Sequence, residues 1–134
     1  MKKLLVLTMM LVACFSMANA QQNDKKMAEI KFDATTHDFG SFTESDAVQT
    51  TVFTFTNVGE APLIINQAIA SCGCTVPTYT KKPVMPGQKG EIKVTYNGKG
   101  KFFGQFKKSI TVRTNGATEM TRLYITGNMT EDKK

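Results

Sequence analysis

The chain has 134 residues, of which 41% are hydrophobic and 21% charged, with no tryptophan, one histidine, three cysteines and a formal net charge of +6. That length suits one domain with a real core. No segment is apolar over the roughly 20 residues that a membrane-spanning helix needs.

The first twenty residues read as a leader outside the fold. Lys2 and Lys3 form a positive start, Leu4 to Val12 an apolar run, and Ala18-Asn19-Ala20 the small-x-small pattern of signal peptidase cleavage. A lipobox competes with it: Leu11-Val12-Ala13-Cys14 would make Cys14 a lipidated first residue. Cleavage after Ala20 is preferred because apolar Phe15, Met17 and Ala18 follow Cys14 where a polar tether should stand. The expected organisation is a signal peptide over 1–20, a polar tether over 21–28, a β-sandwich over 29–130 and a charged tail over 131–134. The protein is then exported to the periplasm or cell surface of a bacterium. Either processing leaves Cys72 and Cys74 as an even pair, which suits an oxidising compartment.

Period-two patterns and turn signals recur along the rest of the chain. Glu29 to Thr35 is a first strand, followed by Phe39-Gly40 at a turn where His37 would hydrogen-bond. Val48 to Val58 is the clearest strand, with Phe53 and Phe55 on one face and Thr54 and Thr56 on the other. Gly59 to Pro62 turns the chain into Leu63 to Ala70, which runs directly into Ser71-Cys72-Gly73-Cys74-Thr75. Thr75 to Thr80 is a short edge strand, and Pro86-Gly87 is a turn. Glu91 to Asn97 places Ile92, Val94 and Tyr96 inward. Phe106 to Thr114 carries Phe106, Ile110 and Val112 on one face, interrupted by Lys108. Asn115-Gly116 is a strong hairpin dipeptide before a last strand, Glu119 to Met129, with Leu123 and Ile125.

About seven short strands with no helical periodicity predict an all-β fold: an immunoglobulin-like, mostly antiparallel β-sandwich. Its expected core is Phe53, Phe55, Leu63, Ile65, Ile92, Val94, Phe106, Ile110, Val112, Leu123 and Ile125.

Several of these motifs, in this order, resemble a known exported bacterial family. They are Phe39-Gly40, Phe53-x-Phe55-x-Asn57-x-Gly59, Pro62-Leu63-x-Ile65, Ser71-Cys72-Gly73-Cys74-Thr75, Pro86-Gly87 and Gly104-x-Phe106. The chain resembles the family catalogued as domain of unknown function 1573 over roughly residues 30–129. That family is related to the immunoglobulin-like domains of the PapD, major-sperm-protein and hydin type. The resemblance implies fold and export, and no reaction.

The cysteine motif leaves three readings open. A Cys72–Cys74 disulfide requires a bend at residue 73, which glycine accommodates at least cost. A redox pair is the second reading, with Lys81 and Lys82 close enough in sequence to favour a thiolate. A soft metal such as Cu(I) held by the two sulfurs, with Met85 in support, is the third. Zinc at a structural site wants four ligands, and His37 is the one further candidate. No cofactor is expected. Phosphate loops, nucleophile elbows and metalloprotease motifs are missing from the sequence, so the chain reads as a non-catalytic binding or scaffolding module. A thiol-redox or copper-handling protein is the alternative.

Charge is distributed unevenly. Residues 21–80 hold seven acids against three lysines, whereas 81–134 hold twelve bases against four acids. Lys81, Lys82, Lys99, Lys101 and Lys107 are therefore candidates for contact with an anionic partner. The partner would be a macromolecule, a protein or an acidic glycan. Nucleic acid is a poor candidate in an exported protein, and arginine is scarce, present only at Arg113 and Arg122.

Overall fold

In a computed structural model, which describes residues 26–133, the chain forms eight β-strands. The leader, Cys14, Ala20 and most of the expected tether lie outside the described residues. The strands are β1 (Ile30–Phe32), β2 (Thr36–Thr43), β3 (Val48–Asn57), β4 (Ile65–Ala70), β5 (Thr75–Tyr79), β6 (Lys89–Asn97), β7 (Gly104–Thr114) and β8 (Met120–Thr130). One sheet has the order β1-β3-β6-β5 and the other β2-β8-β7-β4. All neighbours are antiparallel except β2 and β8, which run parallel. The expected immunoglobulin-like sandwich is therefore present, and the helical content of the described residues is a single 3-10 turn at Glu44–Asp46.

The eighth strand arises because the expected first strand divides. Ile30–Phe32 pairs with β3, and the chain then crosses to the other sheet as β2 beside β8. Phe39-Gly40, expected at a turn, lies inside β2. Gly40 takes φ +69°, its N–H donates to Asp38 Oδ1 at 2.8 Å, and the register shifts between Asp38 and Ser41. The turn chemistry has been used for a β-bulge, which bends an edge strand without ending it. His37 accordingly sits in a strand, edge-on to the Phe39 ring with centroids 4.9 Å apart.

Inward residues alternate as expected. Ten of the eleven expected core residues are buried, and Phe106 is half-buried against them. Ile30, Phe42, Val84, Tyr96 and Met129 complete the centre. Phe106 stacks on Tyr96 at 4.1 Å, and Phe42 meets both rings edge-on. Gly127 makes room for this cluster: a Cβ there would lie 2.7 Å from the Phe106 ring and 3.1 Å from Phe42. Packing also begins earlier than the patterning suggests. Ala28, placed in the tether, is buried, and its carbonyl accepts from Ala117 N at 2.9 Å. At the other terminus Asp132 of the charged tail accepts from Ser45 Oγ at 2.9 Å and Ser45 N at 3.2 Å.

One end of the sandwich is organised by Asn57, which is fully buried. Its Oδ1 accepts from Gly59 N at 3.0 Å and Glu29 N at 3.3 Å, while Nδ2 donates to Ala61 O at 2.7 Å and Val84 O at 2.9 Å. A single amide thus satisfies groups from three segments. Asn115 does similar work nearby. It does not form the tight hairpin its Asn-Gly pairing suggests, because neither it nor Gly116 has positive φ. Instead its side chain accepts from Ile64 N at 2.8 Å and donates to Pro62 O at 3.0 Å, pinning the start of β4.

The four sheet edges differ in how exposed they leave the backbone. β1 is three residues long and β2 carries the Gly40 bulge. In β5, the bonds Asn97 N to Cys74 O (2.8 Å) and Thr80 N to Glu91 O (3.1 Å) fix which residues face β6. By alternation Val76 and Thr78 point their amides at β6, and Pro77 stands where an N–H would point outward. Proline therefore costs no ladder bond and blunts the free edge. In β4, Ser71 N donates to Ser109 O at 2.9 Å, so Gln67 and Ile69 face β7. Ala68 and Ala70 direct their N–H and C=O groups away from the sheet. No proline interrupts this stretch.

Two outcomes follow. Asn57→Ala, which strands several buried polar groups, should lower unfolding stability by about 2–4 kcal/mol in urea titration. Pro77→Val should leave that stability nearly unchanged and make the protein self-associate in sedimentation velocity, because it restores an outward N–H to an edge strand. A Pro77→Val protein that stays as monomeric as the parent would refute the blunting role.

Candidate functional site

β4 ends one sheet and β5 ends the other, yet only Ser71 to Cys74 separate them. The chain changes sheets at this corner, and the corner is held from both sides. Ser71 bonds to Ser109 of β7 through its N–H and through its Oγ, which accepts from Ser109 N at 3.2 Å. Cys74 O accepts from Asn97 N of β6, and Thr75 N closes the bend on Cys72 O at 3.2 Å.

Within the bend the Cys72 and Cys74 sulfurs lie at bonding distance, with Cα atoms 5.3 Å apart. Cys74 is 8% exposed and its Sγ lies 3.6 Å from Thr75 Oγ1. Cys72 is half-buried, and its Sγ accepts from Cys74 N at 3.1 Å. Gly73 is exposed, has no positive φ, and a Cβ there would meet nothing within 4 Å. The bend itself therefore does not demand glycine. What the missing side chain leaves is open space beside the two sulfurs.

The sequence neighbours expected to help the cysteines are not beside them. Lys81 and Lys82 stand beyond the far end of β5, which at about 3.3 Å per residue carries them more than 15 Å along the strand. Lys81 lies 3.6 Å above the Tyr79 ring. Met85 follows Val84, which bridges Leu63 at that same far end, so it cannot support a metal at the sulfurs. His37 lies on β2, at the opposite edge of the sheet from β4. Among the described residues no group of three or more His, Cys, Asp or Glu is placed to hold one metal ion.

The cationic neighbours come from elsewhere in the chain. Ser71 pairs with Ser109, so half-buried Lys108, next to Ser109 on β7, is the lysine of the paired strand nearest in register to half-buried Cys72. Lys108 is the residue that interrupts the inward face of β7. Its position is legible in the sequence; that pairing of Ser71 with Ser109 brings this strand beside the cysteine bend is not. Lys99 and Lys101 are exposed on the β6–β7 loop at this end of the sandwich.

The expected anionic-partner set is consequently divided. Lys81 and Lys82 occupy one end and Lys99 and Lys101 the other, while Lys107 lies on an outer face with Nζ 4.5 Å from the Tyr124 ring centre. Acidic Glu44 and Asp46 lie in the turn just before Ala47, whose carbonyl accepts from Gly98 N at 2.9 Å, so acids share the Lys99 end. Beside them Phe102 is 99% exposed, a feature with no signal in the strand pattern. A groove of about 590 Å³ on the outer face of the second sheet is lined by Asp38, Ser41, Gln105, Lys107, Thr126 and Asn128. Its Asp38 carboxylate accepts from Gly40 N, and the groove lies on the β2 side, away from the cysteines.

Comparison with solved structures places the architecture among PapD-like domains. A protein of unknown function from Porphyromonas gingivalis W83 matches with a TM-score of 0.65 and 13% identity, over 77% of this chain and 47% of that one. This chain thus spans about half the length of that relative. The PapD-like domain 7 of human CEP192 matches with a TM-score of 0.63 and 8% identity, over 80% of this chain and 89% of that one. The periplasmic chaperone SfaE matches with a TM-score of 0.60 and 9% identity, over 79% and 61%. Identities this low carry the fold alone. Comparison with curated proteins returned no match. The profile of one family covers residues 30–129, nearly all of the sandwich, and the chain belongs to that family, described as protein of unknown function (DUF1573).

Proposed function

We propose that this chain is an exported binding module that holds an extended segment of a partner protein along the free edge of β4. The observation that carries the reading is the outward direction of the Ala68 and Ala70 backbone groups on the edge that lacks a blunting device beyond its first residues. Strand addition uses such unpaired groups for affinity and alternate side-chain contacts for selectivity. Exposed Ile69, at 50%, supplies an apolar contact on the outer face beside them. The leader-like start of the sequence supports export, and the likeness to a periplasmic chaperone supports a protein partner. The division of the lysines between two ends favours a polypeptide over an acidic glycan.

Panning a display library of extended heptapeptides on the protein tests this. Sequences with alternating apolar residues should be enriched and should bind at least about tenfold more weakly to Ala70→Pro. That substitution removes an outward N–H and leaves the bonds to β7 in place. Enrichment of nothing, or peptides that bind Ala70→Pro equally well, would overturn the reading.

A further inference from the structure

The corner after β4 carries chemistry that strand addition does not use, because its two sulfurs are placed differently. Cys74 is buried and touches a hydroxyl, Thr75 Oγ1. Cys72 is half-buried, borders the open space at Gly73 and accepts the Cys74 N–H, and its neighbour Ser71 pairs with Ser109, the residue after Lys108. An N–H donor on a sulfur and an ammonium on the neighbouring strand favour negative charge there, and the open space at Gly73 admits a second thiol.

We propose that Cys72 and Cys74 form a thiol–disulfide exchange site for small thiols and for cysteines exposed on polypeptides. Cys72 is the exchanging sulfur, Cys74 the resolving one, and Lys108 a positioning residue that holds charge on Cys72.

In the oxidising direction an external thiolate attacks Cys72 Sγ. The electron pair of the Cys72–Cys74 bond departs with Cys74 Sγ, which takes up a proton from solvent beside the Thr75 hydroxyl. Cys72 is left in a mixed disulfide. A second external thiolate attacks the external sulfur of that bond, and Cys72 leaves as a thiolate received by the Cys74 N–H and the Lys108 ammonium. Two external thiols become one disulfide, and the protein disulfide becomes two thiols. In reverse, the Cys72 thiolate attacks an external disulfide and Cys74 resolves the adduct. A thiolate on Cys72 is thus the leaving group in one direction and the nucleophile in the other, so its stabilisation matters to both.

The reading is independent of strand addition, and the two are tested separately. The full protein is equilibrated with reduced and oxidised glutathione near neutral pH, quenched in acid and mapped by mass spectrometry. The glutathione adduct should sit on Cys72 in at least about tenfold excess over Cys74, and should accumulate in Cys74→Ser. In the reduced protein, Lys108→Met should move the pH–rate profile for alkylation of Cys72 to higher pH and slow the reaction near neutrality by about threefold or more. Lys108→Arg should restore the profile, and Lys81→Met should leave it unchanged. A bridge that glutathione does not open in the parent protein, or adducts shared equally between the sulfurs, would overturn the site. An unshifted profile in Lys108→Met would remove Lys108 from it.

Discussion

The rest of the molecule is arranged around one constraint: β4 and β5 belong to different sheets, and four residues must join them. Packed sheets stand about 10 Å apart, so the connection has no slack for a loop. It bends within Cys72 to Cys74, whose Cα atoms are 5.3 Å apart, and both flanks are tied into ladders through Ser109 and Asn97. On the opposite side the chain crosses again between β1 and β2, over Asp33 to Thr35. Both open sides of the sandwich are therefore closed by chain running from sheet to sheet. A polar motif at one of these crossings is held as firmly as a core residue while remaining beside solvent.

That arrangement links the two functional features. The free edge of β4 leads straight into Ser71 and Cys72, so a chain laid along it would arrive at the exchanging sulfur. The other three edges are shortened, bulged or blunted by proline, which is how natural sandwiches limit uncontrolled pairing. β4 has a register shift only at its start, between Ile65 and Gln67, and its regular part from Gln67 to Ala70 ends at the cysteine pair, an asymmetry that calls for a functional account. The far end has a different task. Asn57 and Asn115 satisfy the backbone of loops that would otherwise be buried without partners, and this fixes the register of β3 and β4 on which the corner depends.

Alternation along β3, β6, β7 and β8 was readable because one face of each strand is buried, which forces apolar residues to recur every second position. The core residues from Phe53 to Ile125 follow directly. Gly40 and Asn115-Gly116 were misread for a common reason. Glycine and asparagine mark departures from extended backbone, and a linear pattern does not separate a turn from a bulge or from a side chain that bonds another loop. Ala28 and Asp132 were assigned to solvent because neighbouring residues are polar, although contacts with Ala117 and Ser45 draw them in.

By itself the sequence determined the sandwich, its core and the prominence of Cys72 and Cys74, since period and spacing are local properties of the chain. Only the tertiary structure decided the cysteines' surroundings. Lys81, Lys82 and Met85 are near in sequence and carried away by an extended strand, whereas Ser109 of β7 and Asn97 of β6, distant in sequence, bond the two flanks of the pair. It also decided which edge is free, because the direction of an amide depends on the register with a neighbouring strand. A strand's own residues do not encode that register; pairing does.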